Sequence, residues 1–139
     1  MTRAGISVTD RNVTTRNADK RPLTDLQQAI LDLIWSRESA TAEQVRSALH
    51  ARFPLKDSSV RTLLRRLEAR GYLTHHLDGK IFVYEAAMPA QSVAAGAVRQ
   101  IIKRFWSGSV EQFLVGMVDE KVLSAAEIHK LARRVKKAR

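Results

Sequence analysis

The dipeptide Asp78-Gly79 constrains the fold of this chain most, because it separates two short β-rich runs, YLTHH and KIFVYEA. Asp-Gly between such runs predicts a hairpin, since tight hairpin turns need positive φ. Ahead of it the pattern is helical. Thr24 followed by Gln27 is a capping-box spacing, and Leu26, Ala29, Ile30, Leu33 and Ile34 recur behind it on one stripe. Trp35 adds a large apolar anchor near the end of that helix. Thr41 with Gln44 repeats the box before Ala42, Val45, Ala48 and Leu49. Pro54 then breaks the chain. Asp57, Ser58 or Ser59 is expected to cap a third helix, with Val60, Leu63, Leu64 and Leu67 facing inward and Gly71 as its stop. Three helices followed by a hairpin predict a winged helix-turn-helix domain over residues 23–88.

Behind Pro89 the pattern is helical only. Ala94, Ala97, Val98, Ile101, Ile102 and Phe105 form one stripe; Val110, Phe113, Leu114 and Met117 form a second, after a break at Gly108-Ser109. Ser124 with Glu127 opens a last helix bearing Ile128, Leu131, Ala132 and Val135. Roughly fifty residues enclose little core alone, so these stripes are expected to pack on a second copy of the same segment. The dimerisation residues expected are Ala94, Val98, Ile101, Ile102, Phe105, Phe113, Leu114, Met117, Ile128, Leu131 and Val135. The fold class is therefore mainly α with a small β-hairpin: a winged domain followed by an all-helical dimerisation domain at 89–139. Residues 1–22, polar and without periodicity, are expected to form a flexible basic arm.

The third helix carries the chemistry. With its aliphatic residues turned inward, Arg61, Thr62, Arg65 and Arg66 must project outward. Ser58 and Ser59 sit at its amino end, where free amides and the helix dipole favour phosphate. Arginine can hydrogen-bond guanine in a bidentate fashion. Arg61, Thr62 and Arg65 are thus the candidates for base edges in duplex DNA. Ser58, Ser59, Arg66 and, from the wing, Lys80 are the candidates for phosphates, with His75 or His76 as a further backbone contact from the wing. The net charge of +10 agrees with a polyanionic partner, but most of it lies elsewhere. Residues 23–88 carry nine Lys/Arg against eight Asp/Glu, whereas 1–22 carry five against two and 89–139 ten against four. A non-specific nucleic-acid-binding protein, chromatin-like or RNA-binding, using these basic ends therefore stands as an alternative. An adaptor that docks proteins on a winged helix is a third.

Other chemistry finds little support. The chain has no cysteine, which excludes disulfides and thiolate metal sites. His75 and His76 are adjacent in a strand and point to opposite faces, while His50 and His129 are isolated. No cofactor, no metal and no enzymatic activity are expected. The first residues lack the apolar stretch of a signal peptide, and no apolar run approaches the roughly 20 residues that span a bilayer. A cytoplasmic location without membrane insertion is expected.

The segments LTDLQQAILDLIW, SSVRTLLRRLEARGYL and DGKIFVYEA, with Val98–Trp106 and LSAAEIHKL in the tail, resemble the penicillinase-repressor (BlaI/MecI) family of bacterial transcription factors over residues 23–137. The resemblance implies a homodimeric repressor on a palindromic operator, with its third helix in the major groove and its carboxy-terminal helices interlocked between subunits. It also implies a partner in a sensor protease or co-regulator and, in the β-lactam-responsive members, control of antibiotic resistance by cleavage at an Asn-Phe bond. The corresponding place here holds Gln100-Ile101, which counts against release by that route. Copper sensing through cysteines, found in some relatives, is excluded.

Overall fold

A computed structural model describes residues 21–138; apart from Arg21 and Pro22, the expected arm lies outside the described residues. The described residues divide into two compact units, one running up to Ala95 and the other starting at Gly96.

The first unit begins with α1 (Asp25–Arg37), opened by the capping box anticipated at Thr24. The Gln27 amide donates to Thr24 Oγ1 at 3.1 Å, and the Thr24 amide to Gln27 Oε1 at 3.0 Å. Thr41 and Gln44 repeat this at the start of α2 (Ala42–Leu49). Between the two helices lies β1 (Ser39–Thr41), a three-residue strand with no apolar alternation to announce it. α3 (Asp57–Ala69) follows. Its cap differs from expectation: Lys56 is the N-cap residue and no side chain bonds the first amides. Asp57 is instead engaged by Arg61, and Ser58 lies within the first turn. The amides at this end of α3 are left to other partners.

α3 ends as expected at Gly71, which has φ 91°. The Tyr72 amide donates to the Leu67 carbonyl at 3.0 Å and the Gly71 amide to the Glu68 carbonyl at 2.9 Å, the two bonds of a Schellman motif. The chain then enters β2 (Leu73–Asp78) and β3 (Ile81–Ala86). Asp78 pairs with Ile81, so the two-residue turn is Gly79-Lys80, one position later than the Asp-Gly signal suggested. Gly79 alone has positive φ, at 64°, as a type II′ turn needs at its first central residue. β1 adds to the outer edge of β3, giving an antiparallel sheet of order β1-β3-β2.

Ile30, Leu31, Ile34, Val45, Val60, Leu64 and Leu67 are fully buried, with Ala40, Leu73 and Tyr84 closing the core from the sheet. Leu31 lies off the expected stripe. It is buried because α1 packs against α2, β1 and β3 and so is covered over a broad face. Ala48 and Leu63 depart the other way, Ala48 exposed and Leu63 half-buried.

α4 (Ala90–Trp106) starts just after Pro89, but the division between units falls inside it. The Trp35 indole donates to the Met88 carbonyl at 3.0 Å, tying the approach to α4 to α1. In the second unit α5 (Val110–Asp119) is capped by Ser109, and α6 (Ala125–Ala138) opens on the Ser124–Glu127 box. The Trp106 ring meets Phe113 and Phe105 edge-on at 5.3 and 6.2 Å. Gly116 leaves room for it, since a Cβ there would stand 3.0 Å from the indole.

α5 ends in the same Schellman geometry as α3, with Lys121 (φ 64°) in the glycine position. A left-handed non-glycine residue costs roughly 1–2 kcal/mol, partly offset by the chain entropy glycine loses on folding. Lys121→Gly is therefore expected to stabilise the protein by about 0.5–1 kcal/mol, read as a higher thermal midpoint.

Candidate nucleic-acid interface

The burial of Val60, Leu64 and Leu67 fixes how α3 is turned, and its outer face follows from about 3.6 residues per turn. Ser58, Thr62 and Arg65 lie opposite the buried stripe. Arg61 and Glu68 flank them on the side of the hairpin, and Ser59 and Arg66 on the other. Arg61, Arg65 and Arg66 are exposed; Ser59 and Thr62 are half-buried. Ser58, Ser59, Thr62, Leu63 and Arg66 line one shallow depression. α3 thus gathers six of the seven residues expected to meet DNA. The seventh, Lys80, sits apart in the turn of the hairpin.

Local bonds orient several of these side chains. The Thr62 hydroxyl donates to the Ser58 carbonyl at 3.0 Å, so its proton is engaged and its oxygen is left to accept. Arg65 Nη2 lies 3.5 Å from that oxygen. Arg61 Nε pairs with Asp57 Oδ2 at 3.0 Å, one helical turn away. This exposed pair contributes little stability, but it draws the guanidinium toward the amino end of α3.

The hairpin meets α3 through aromatic and acidic groups that periodicity did not single out. His75 Nδ1 lies 2.8 and 2.9 Å from the two carboxylate oxygens of Glu68. The His75 ring stacks on Phe82, with centroids 4.2 Å apart and planes 8° from parallel, and is 5.7 Å from Tyr84. His76 turns the other way, toward Glu85 at 3.3 Å. Burial foremost raises the Tyr84 phenol above its usual pKa; the Glu68 charge adds to this, while Arg65 and Arg61 oppose it. Glu68 and these two arginines are thus within electrostatic reach of the sheet. At the far end of α3, Arg70 Nη1 donates to Gln27 Oε1 at 3.1 Å, and its guanidinium lies over Tyr72. Arg70 is thus engaged in linking α3 to the cap of α1.

The expected dimerisation residues separate into groups. Ala94, Val98, Ile101, Phe105, Leu131 and Val135 are exposed, and Phe113, Leu114, Met117 and Ile128 are half-buried. Ile102, by contrast, is buried within its own chain, at 8% exposure. Ala94 lies in the first unit rather than with the rest of its stripe. Val115 and Val122, outside the expected stripes, are exposed as well. Among the described residues there is no cluster able to hold a metal, and no helix is long and apolar enough to cross a membrane.

The profile of the family described as penicillinase repressor matches residues 23–137. The penicillinase repressor of Bacillus licheniformis is 24% identical over 109 residues, covering 78% of this chain and 85% of that protein. The transcriptional regulator BlaI of Mycobacterium tuberculosis is 33% identical over 99 residues, covering 70% and 72%. Among solved structures, the DNA-binding domain of the repressor BlaI is 25% identical with a TM-score of 0.46, covering 52% of this chain and 88% of that one. With its profile running from the approach to α1 through nearly all of α6, this chain belongs to the penicillinase repressor family.

Proposed function

We propose that this protein is a DNA-binding transcriptional repressor that acts as a homodimer on a palindromic operator, placing α3 in the major groove. The carrying observation is the outer face of α3, where Ser58, Thr62 and Arg65 stand opposite the buried stripe, Ser58 and Arg65 exposed and Thr62 half-buried among the described residues. Arg65 is the central long donor on this face and reads a base edge. Arg61 and Thr62 add to base recognition, while Ser58, Ser59, Arg66 and the hairpin's Lys80 hold phosphates. The uncapped amides at the start of α3 fit an anionic oxygen. The repressor's relatives support duplex DNA as the partner: a B. licheniformis BlaI monomer was solved in complex with the blaP half-operator. The exposed aliphatic and aromatic residues of the second unit support the homodimer, since such apolar surface marks association. Such a protein acts by occupying DNA, and no catalytic step is assigned to it.

The test is selection of duplexes from a random-sequence library, followed by competition against random DNA at fixed salt. A specificity ratio near one would replace this reading with the non-specific one that relies on the basic ends. Arg65→Ala is expected to cost about 1–3 kcal/mol on the selected duplex and to relax preference at one base position. A uniform loss across sequences would make Arg65 a backbone contact instead.

A further inference from the structure

We infer that His75 is a positioning residue for DNA binding: through Glu68 and Phe82 it latches the hairpin to α3 and so sets how Lys80 is presented beside the helix. This rests on the reading of α3 and Lys80 as the DNA-contacting elements.

Three features place the latch. First, it bridges two elements that must meet DNA together, since Glu68 lies on α3 three residues beyond Arg65 and His75 lies on β2. One imidazole nitrogen is within 2.9 Å of both carboxylate oxygens, and each side chain is about a third exposed. Second, the flat stack on Phe82 brings β3 into the same contact, so a single ring ties both strands of the hairpin to the helix. Third, the latch stands at the limit of the buried part of the hairpin. Tyr84, paired with His75 across the strands, is in the core. Beyond it, Leu77 and Ile81 are 59% and 58% exposed, and Lys80 rides on that outer half. The direction in which Lys80 is presented therefore depends on the last tie to α3.

Glu68 from α3 and the Phe82 and Tyr84 rings from β3 surround the imidazole, whereas His76 and Glu85 lie on the opposite face of the hairpin.

The experiment measures affinity for a labelled duplex recovered by selection from the random-sequence library, by fluorescence anisotropy at constant salt and pH. His75→Gln keeps an N–H to Glu68 and is expected to retain most of the wild-type affinity. His75→Ala loses the tie altogether and is expected to bind several-fold more weakly. In that background Lys80→Ala should cost less than it does in the wild type, a coupling that mere loss of fold stability would not produce. Wild-type binding by His75→Ala, or as large a loss in His75→Gln as in His75→Ala, overturns the latch while leaving the reading of α3 intact. Recovery of no duplex by the wild-type chain overturns that reading, and the latch with it.

Discussion

Truncating Leu64 to alanine is expected to cost about 2–5 kcal/mol of folding stability. Leu64 is fully buried in the centre of α3, packed in the cluster formed by α1, α2 and the sheet. Its removal leaves a cavity under the residues that project Arg61 and Arg65. Surrounding side chains are in van der Waals contact on several sides and collapse into such a space only in part. The measurement is chemical denaturation with an unchanged m-value and a lowered midpoint. Leu63→Ala serves as the internal comparison. Leu63 belongs to the same sequence stripe but is half-buried at the edge of the outer depression, so its loss is expected to be distinctly smaller. Equal losses at the two positions would mean that α3 is turned differently, and that the outer face drawn above is wrong.

Ile101→Glu is expected to convert the proposed homodimer into a monomer at micromolar concentration, read by sedimentation. Ile101 is 45% exposed and shares its side of α4 with Val98 and Phe105, the latter 68% exposed. In an interface each of these residues is covered by the partner. A carboxylate there has to be desolvated without a counter-charge, at a cost of several kcal/mol per subunit. Because the substituted position is exposed in the single chain, the fold itself should persist, with helical content unchanged. Ile102→Glu provides the contrast: Ile102 is buried in its own chain, so that substitution should unfold the second unit rather than merely separate subunits. An unchanged dimer for Ile101→Glu would move the interface off this face of α4. Binding of a full palindrome should fall far more than binding of a half-site, since a linked pair of recognition helices gains from effective concentration.

Much of the fold was legible because its determinants are local. The boxes at Thr24 and Thr41, the left-handed stop at Gly71 and the helical stripes all act within four residues, and all three kinds appear where the sequence places them. The outer face of α3 was legible for the same reason: Val60, Leu64 and Leu67 are buried together, so the residues between them have to face away. Determinants that bridge distant segments were not legible. β1 exists only because Ser39–Thr41 finds the edge of β3, and a three-residue run carries no periodic signal of its own. The hairpin turn moved to Gly79-Lys80 because cross-strand pairing, from Leu73 opposite Ala86 onward, sets the register and not the dipeptide alone. The site changed in the same way. His75 was weighed as a phosphate contact, yet it is directed at Glu68 because β2 runs alongside α3. Arg70, at the end of α3, is engaged with the cap of α1 because that cap lies beside it in the fold.

By itself, then, the sequence determined where helices begin and end, which face of each is apolar, and which face of α3 carries arginine, serine and threonine, because backbone capping and side-chain periodicity are short-range. Tertiary structure decided which apolar residues are buried within the chain and which are left outside, as Ile102 and Ile101 show side by side on one helix. It also decided which charges stand free toward a partner and which are tied across elements. Both outcomes depend on which segments come to lie against each other, and a one-dimensional pattern does not contain that distance.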